Sequence, residues 1–520
     1  MVQFSNFDRI MEAGDHLKNE ASSRGRTSRG NFFIVLVAII FCFPFSRTNA
    51  SEWEEKPVFI SGEIINFSLG EDRTVKFSFR DLLGLNEEMV AQIDENNAFQ
   101  LSFSLAYPQD FYVQYGRGNL RTLFCSPGDS LFIKIDATSS GESRFSVIGG
   151  TSKQTNDLIS DFLRKIPNDS YIYNNFNVAV KSKSPLEYLE YVKEREKLYR
   201  EFHDKFVSEN QTTQMFRKWA SDRLKYETYH DLLYYTWYHP YLNEIKESTF
   251  EIPKEYFAFL ETYDMNDSEI ISIKHADFLS EYARYFRLHA EENISEKMMK
   301  AYKEAGNVGA YALFIELIEK YSNGFTKDFL LAQIFSSFLE AKELELFNQL
   351  FDAEKINNNH FLKTISTEHD KLISYLNNTN TETANISILN SQSDILKELN
   401  AKYNGKFIYI DFWATWCGPC LAEFDASKKL QQEWKSRDVV FVFLANRSPE
   451  NVWEATIANE KLSGEHILLT NDQYNVLSAE FNISGIPHYV LIDKAGNIVS
   501  KKAPRPSERE LLIKLIDSEL

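Results

Sequence analysis

The sequence predicts a multidomain protein with an N-terminal antiparallel β-sandwich-like domain, an all-α middle region and a C-terminal α/β domain. Its 520 residues exceed a single domain of roughly 100 to 200 residues. Apolar residues first alternate with polar ones and later recur at helical spacing. Near the C-terminus, an almost continuous apolar run stands directly before a helical pattern. We therefore predict a leader over 1–50, a β domain over 51–150, a helical domain over 151–385 and an α/β domain over 386–520.

Composition argues against two broad classes of protein. The chain carries 57 basic and 75 acidic residues, and its net charge of −18 repels a phosphate backbone. We therefore expect no nucleic-acid partner. Four cysteines are too few for a small disulfide-dense scaffold. A hydrophobic content of 43% is ample for several buried cores.

The first fifty residues have the order of a secretory signal. Basic residues precede an apolar run over 32–45, and Thr48 and Ala50 stand at small-residue cleavage positions. The run covers about 14 residues and Pro44 interrupts it, whereas a membrane-spanning helix takes about 20. We expect cleavage, with an uncleaved membrane anchor as the alternative. The basic cluster before the run puts the rest of the chain outside the cytoplasm in either case.

Short alternating stretches broken by Gly, Asn and Pro-Gly predict the β domain. Cys125 lies here beside Leu123 and Phe124, which favours a small buried hydrophobe over a reactive thiol or an intermolecular bridge. The predicted strands cover residues 58–67, 74–79, 111–115, 130–135 and 145–148.

Helical periodicity begins after position 151. Ser184, Pro185 and Glu187 combine capping-box spacing with a proline at the first helical position. An aromatic stripe over 226–237 is typical of a buried helix face, and a binding platform is the alternative. The histidines of this region lack the spacing of metal ligands, so we predict no metal site.

An α/β pattern covers the C-terminal part. The stretch 377–393, rich in Asn, Thr and Ser, predicts a linker or one short strand. The apolar run 407–413 predicts a strand buried on both faces, and 439–444 and 488–492 predict two more. The spacing after Ser507 predicts a final amphipathic helix.

A Cys-x-x-Cys motif stands between the first of these strands and a helix. Its residues are Cys417, Gly418, Pro419 and Cys420. The first sulfur then lies at a helix N-terminus, where unpaired backbone N–H groups and the helix dipole favour a thiolate. The second lies one turn further, within reach of a disulfide. Zinc is disfavoured because there is no second cysteine pair.

Residues 394–520 resemble a thioredoxin-fold domain. The run from Asp411 to Cys420 is close to the active-site run of thioredoxins, and Gly485-Ile486-Pro487 matches the place of that family's cis-proline. The resemblance is specific over about a quarter of the chain and only architectural elsewhere.

The finer resemblance is to the TlpA/ResA-like thiol-disulfide oxidoreductases, often grouped with the AhpC/TSA superfamily. Glu423 matches an active-site acid of that subgroup, 453–469 matches its extra sequence, and 503–507 resembles a tail of its large Gram-negative members. Those members also carry a β domain and a helical middle. One departure is Asp425, where proline is common, so we expect the helix to lack its usual kink.

The resemblance implies thiol-disulfide exchange, in which Cys417 attacks a substrate disulfide and Cys420 resolves the mixed disulfide. Asp411 and Glu423 are candidates for proton transfer. A structural hydrogen-bonding role is the alternative for Asp411, and an ordinary helix-surface acid is the alternative for Glu423.

Five further residues are predicted to contact the substrate. The backbone of Ile486 would pair with an extended substrate strand, and a cis Pro487 would face the sulfurs. The others are Trp416, Gly418 and Pro419. No cofactor is implied beyond the redox-active disulfide of the two cysteines.

The leading hypothesis is therefore a periplasmic or cell-envelope enzyme that reduces protein disulfides. Its expected partners are disulfide-containing client proteins and a membrane electron donor for re-reduction, with membrane contact through 32–45 if the leader is retained. The alternatives are a redox-sensitive adaptor and a thiol peroxidase. The peroxidase is disfavoured because the P-x-x-x-T-x-x-C arrangement is missing at both Cys417 and Cys125.

Overall fold

The computed structural model describes residues 53–519 with short gaps. The predicted leader and its apolar run lie outside the described residues, as does part of the stretch 377–393. The gaps fall at 67–72, 81, 84–85, 117–119, 140–143, 167–175, 247–248, 290, 292, 379–383 and 388–393.

Two four-stranded sheets form the N-terminal part. Their strand orders are β4-β1-β7-β8 and β3-β2-β5-β6, and their inward-facing side chains build one core. Alternation sets the two faces of β1, where Val58 and Ile60 are buried while Phe59 is 55% exposed. The strands are β1 Lys56–Ile65, β2 Thr74–Arg80, β3 Asn86–Gln92, β4 Ala98–Leu105, β5 Gln109–Gln114, β6 Leu120–Cys125, β7 Ser130–Asp136 and β8 Phe145–Gly150.

The prediction of an antiparallel sandwich-like domain is wrong at one pair of strands. Strands β1 and β7 run parallel, from Phe59 opposite Ser130 to Ile65 opposite Asp136. Four strands of the other sheet and one of its own separate β1 from β7 in sequence, so a long crossover is available for a parallel pair.

Helices follow from Lys153 to Leu376. The predicted cap at the start of α3 is present, because the Ser184 backbone N–H and hydroxyl donate to Glu187 Oε2 at 2.9 and 2.6 Å. The helices are α1 Lys153–Lys165, α2 Phe176–Ser182, α3 Pro185–Glu209, α4 Gln214–Leu242, α5 Ile273–His289, α6 Ile294–Tyr321, α7 Gly324–Glu340, α8 Leu344–Leu350 and α9 Asn359–Leu376. In the described part of the chain, none of them combines the length and the apolar character needed to cross a bilayer.

The aromatic stripe of α4 is largely a buried face. Tyr226 and Leu233 are at most 1% exposed, and the Tyr226 ring stacks on that of His275 at a centroid distance of 3.6 Å. This part of the stripe therefore belongs to the core.

A six-stranded mixed sheet with helices on both faces forms the C-terminal part. Its order is β14-β13-β10-β11-β12-β9. The strands are β9 Ala384–Ser387, β10 Phe407–Trp413, β11 Val439–Ala445, β12 Gly464–Leu468, β13 His488–Ile492 and β14 Ile498–Ser500. The helices are α10 Ile395–Lys402, α11 Gly418–Glu433, α12 Glu450–Glu460, α13 Asn471–Phe481 and α14 Arg509–Asp517, with a 3₁₀ turn at Pro506–Glu508 before the last.

Strand β10 lies inside this sheet, parallel to β11 and antiparallel to β13. All seven of its residues are buried, which accounts for the unbroken apolar run in the sequence. Strand β9 pairs with β12 and spans the predicted boundary at 385, so the C-terminal sheet begins before that residue. The stretch 377–393 thus contains a short strand, which is one of the two alternatives that its sequence allowed.

Polar contacts join the helical part to α12. The Tyr375 hydroxyl donates to Thr456 Oγ1 at 2.8 Å, and Asn459 Nδ2 donates to the Tyr375 carbonyl at 2.9 Å. Asn378 Nδ2 donates to Asn459 Oδ1 at 3.0 Å. These contacts seat the end of α9 against the helix that follows β11.

Candidate active site

The two cysteines lie at the junction between β10 and α11. A disulfide joins Cys417 to Cys420, with their Cα atoms 5.2 Å apart. Cys417 is the N-cap of α11, and the Cys420 backbone N–H donates to Cys417 Sγ at 3.2 Å. A backbone donor and the positive end of the helix dipole thus meet at the same sulfur, which favours negative charge on it once the disulfide is reduced.

The two sulfurs differ in exposure. Cys420 is completely buried, whereas Cys417 retains 4% of its surface in the disulfide form. Cys417 is therefore reached from the surface only through a narrow opening. An approaching sulfur nevertheless reaches Cys417 before Cys420, which fits the predicted order of attack.

Trp416 stands out from the surface beside this opening. It is 59% exposed, whereas Trp413 is fully buried and belongs to the core. The Trp416 Nε1–H donates to the Arg447 carbonyl at 3.0 Å, and the Thr415 backbone N–H donates to Ser448 Oγ at 3.0 Å. The loop after β11 therefore fixes the loop that carries the cysteines.

Sequence reasoning missed Arg447 and Ser448. The one sequence feature that could have indicated them is their position directly after a buried strand. That strand is parallel to β10, so the residues after both strands lie at the same edge of the sheet.

The predicted cis-proline is at the same edge. The Ile486–Pro487 peptide bond is cis, and His488 directly after it pairs with Phe412 at the end of β10. Because β10 and β13 are antiparallel, the start of β13 lies beside the end of β10. Ile486 and Pro487 are half-buried and Gly485 is exposed, so this segment borders the surface next to the cysteines.

The motif residues between the cysteines also reach the surface. Gly418 is half-buried and Pro419 is exposed. Together with Trp416 they form the outer side of the helix start. The structure thus brings all the predicted substrate-contact residues to one edge of the sheet.

Asp411 lies behind the disulfide in β10. It stands two residues from both Tyr409 and Trp413, whose side chains pack in the same core as Phe424 of α11. Because every second residue of a strand points to the same face, Asp411 points to the side of the sheet on which α11 packs. It is 2% exposed, and neither carboxylate oxygen has a hydrogen-bond partner among the described residues. Burial raises the pKa of Asp411 well above its usual range, the negative charge of Glu423 raises it further, and the Tyr489 hydroxyl opposes this rise.

Glu423 is not an ordinary helix-surface acid. It is 8% exposed, and its two oxygens accept hydrogen bonds from the Ser507 backbone N–H at 3.0 Å and the Ser507 hydroxyl at 2.8 Å. An Arg505 guanidinium nitrogen lies 3.9 Å from Glu423 Oε1. The two acids therefore share one partly enclosed region, but only Glu423 accepts close hydrogen bonds from the described residues.

Asp425 occupies the position where a proline is common in the resembled subgroup. Its side chain is 82% exposed and pairs with Lys428 at 2.8 Å. Helix α11 runs without interruption from Gly418 to Glu433.

Cys125 is far from this chemistry in sequence and environment. It is fully buried in the β core and forms no disulfide, and burial raises the pKa of its thiol well above the usual range. The prediction of a small buried hydrophobe is confirmed. Among the described residues, no cluster of three or more His, Cys, Asp or Glu side chains is arranged to hold a metal ion.

Comparisons with known proteins concern this C-terminal part. Residues 381–512 match the Redoxin family model. The thiol-disulfide oxidoreductase ResA of Geobacillus kaustophilus is 33% identical over 101 residues, which cover 18% of this chain and 53% of that protein. ResA of Bacillus subtilis is 29% identical over 116 residues, which cover 20% of this chain and 60% of that protein. The chain thus spans little more than half the length of these curated relatives.

A solved structure gives a similar local match. A crystal structure of a thiol-disulfide oxidoreductase from Bacteroides vulgatus is 39% identical, and the match covers 23% of this chain and 82% of that chain with a TM-score of 0.21.

Proposed function

Because the C-terminal region is a TlpA/ResA-like domain of the thioredoxin superfamily, we propose that this protein is a thiol-disulfide oxidoreductase that reduces disulfide bonds of other proteins. The observation that carries the proposal is the Cys417–Cys420 disulfide at the start of α11, with the Cys420 backbone N–H donating to Cys417 Sγ. That geometry stabilises the thiolate of Cys417 but not that of Cys420. The thiolate is the form that attacks a disulfide and also the form that leaves when a disulfide is opened.

The reaction begins from the reduced dithiol. Cys417 Sγ, as a thiolate, attacks one sulfur of a client disulfide, so that an S–S bond to the client forms and the client's own S–S bond breaks. Cys420 then loses its thiol proton and attacks Cys417 Sγ. This restores the Cys417–Cys420 disulfide and releases the second client sulfur. Two electrons pass from the dithiol to the client, whose two thiolates take up two protons from the solvent.

The buried position of Cys420 requires a proton acceptor inside the protein. Asp411 lies on the same side of the sheet, and its raised pKa favours the protonated form of its carboxyl group. We propose that Asp411 takes the proton from Cys420 during resolution and returns it when the disulfide is next opened. Glu423 lies close enough for its negative charge to raise the pKa of Asp411.

Client binding uses the edge of the sheet around the opening. Trp416, Gly418 and Pro419 form one side, and Ile486 and Pro487 form the other. An extended client segment would pair with the backbone of Ile486 and present its disulfide to Cys417. Exposure of Trp416 supports this, since an exposed tryptophan next to a reactive sulfur offers apolar contact area to a partner.

The proposed location is the periplasm or cell envelope. Its support is the signal-like order of residues 1–50 in the sequence. A dithiol reductant outside the cytoplasm must be recharged, so we propose a membrane-bound dithiol donor as its second partner.

Reduction of insulin by the full-length protein, with dithiothreitol as electron source, tests the activity. We expect turnover by the wild type, seen as precipitation of the insulin B chain well above the rate with dithiothreitol alone. Cys420→Ser, reduced and then freed of dithiothreitol before insulin is added, should instead accumulate a mixed disulfide with insulin that a non-reducing gel resolves, because the resolving thiol is missing. A wild type that gives no turnover contradicts the enzyme and favours the redox-sensitive adaptor.

A further inference from the structure

Residues 503–507, here called the C-terminal loop, pack against the strands that carry the buried acid. The Ala503 backbone N–H donates to the Tyr489 carbonyl at 2.8 Å. The Tyr409 hydroxyl donates to the Pro504 carbonyl at 2.6 Å. Tyr409 lies in β10 and Tyr489 in the neighbouring β13. The loop therefore forms a wall of the region behind the disulfide.

The end of this loop supplies both close donors to Glu423. The Ser507 backbone N–H donates at 3.0 Å to one carboxylate oxygen, and the Ser507 hydroxyl donates at 2.8 Å to the other. Arg505 adds a positive charge 3.9 Å away. Hydrogen bonds to an ionised carboxylate are stronger than those between neutral groups, so this arrangement stabilises the charged form of Glu423.

Asp411 has the opposite surroundings. The ionisable groups that face it are Glu423 from α11 and Tyr489 from β13, with Tyr409 on its own strand, while its partner on β11 is the apolar Phe443. Two carboxyl groups in one buried region resist being ionised together. Asp411, which accepts no close hydrogen bond from the part of the chain that the structure describes, is therefore the better place for a proton.

We propose that Ser507 is a positioning residue, which fixes Glu423 as a carboxylate and thereby keeps the proton shared by the two carboxyl groups on Asp411. Its importance for catalysis rests on the proposed function. When a donor dithiol opens the disulfide, the Asp411 O–H bond breaks and its proton passes to the Cys420 sulfur that has just gained electrons. In resolution the same proton returns to Asp411. The C-terminal loop is thus part of the redox centre.

Infrared spectroscopy of the oxidised full-length protein tests where the proton resides. The protein is prepared with aspartate carrying ¹³C in its side-chain carboxyl group, which shifts the C=O band of a protonated aspartate but not that of a glutamate. The spectrum of Asp411→Asn is subtracted from each variant at pH 7. In the wild type we expect a protonated-carboxyl band that shifts with labelled aspartate.

In Ser507→Ala the ratio of the aspartate band to the glutamate band should fall about tenfold, because Glu423 loses a charge-assisted donor and takes a larger share of the proton. Ser507→Thr keeps the hydroxyl and should keep the wild-type ratio. Ser518→Ala is the matched control, since that hydroxyl donates only to the Leu515 carbonyl in the last turn of the chain. Its spectrum should equal that of the wild type.

An unchanged ratio in Ser507→Ala, or a wild-type band that does not shift with labelled aspartate, would overturn the proposal. If Ser507→Ala does not fold, Arg505→Gln provides the same test, because the Arg505 side chain is 49% exposed and its loss weakens the same stabilisation. No shift of the proton in that variant likewise contradicts the proposal. The measurement uses neither client nor donor, so it can fail while insulin reduction succeeds, and the reverse.

Discussion

Replacing Cys417 by serine should abolish insulin reduction, with a loss of at least about 10³-fold in rate. The hydroxyl of serine is not ionised near neutral pH, so no nucleophile remains at the start of α11. Cys420 cannot substitute for it, since it is completely buried. The rate of insulin precipitation, compared with dithiothreitol alone, measures the effect.

Cys125→Ala is the matched control for this variant. Cys125 is the free cysteine of the described residues and lies in the β core. Its loss should leave the rate per folded molecule unchanged. Residual activity of Cys417→Ser within about tenfold of wild type would contradict the assignment of Cys417 as the attacking group.

Replacing Asp411 by asparagine should stabilise the folded protein at neutral pH and slow the release of clients. In the folded state the pKa of Asp411 is raised, so the folded protein binds this proton more tightly than the unfolded chain does. The free energy of unfolding therefore falls as pH rises from about 4, the ordinary pKa of an aspartate, towards the raised value. Asparagine does not titrate, which removes this loss.

Denaturant titration at several pH values measures the stabilisation. The gain in free energy of unfolding should be near zero at pH 4 and should rise with pH by about 1.4 kcal/mol per pH unit until the raised pKa of Asp411 is reached. In the activity assay, decay of the mixed disulfide should slow by about 10²-fold, the usual contribution of a proton-transfer group.

Asp110 offers a contrast within the same chain. It is 1% exposed, but it accepts hydrogen bonds from Trp219 Nε1 at 2.9 Å and from the Ile273 backbone N–H at 2.5 Å. Asp110→Asn would place the amide NH₂ group opposite one of these N–H donors and so remove a hydrogen bond. We therefore expect this variant to lower the free energy of unfolding at pH 8. Equal destabilisation by both replacements would mean that Asp411 is an ordinary structural acid.

Patterns among neighbouring residues were sufficient to predict the local structure around the two cysteines. A seven-residue apolar run predicted β10 within its observed bounds, because a strand covered on both faces leaves no room for polar alternation. The Cys-x-x-Cys spacing predicted both the helix start and the disulfide. These features depend on neighbours in the sequence.

Features that depend on distant contacts could not be predicted in the same way. Strand β3, with the sequence NEEMVAQ, is an edge strand with too few apolar residues to stand out. The parallel pairing of β1 with β7 depends on how the chain crosses between sheets. The sequence did not decide whether Glu423 is buried or on the helix surface, because its hydrogen-bond donors come from Ser507, 84 residues later.

The account depends on Cys417 being the reactive sulfur, and the pH dependence of its alkylation tests this most directly. The reduced protein is treated with iodoacetamide across a pH series, and the modified peptide is quantified by mass spectrometry. We expect the alkylation rate of Cys417 to reach half its maximum at least one pH unit below about 8.5, the ordinary value for a thiol, while Cys420 remains slow. A Cys417 midpoint at or above about 8.5, or faster modification of Cys420, would contradict the account.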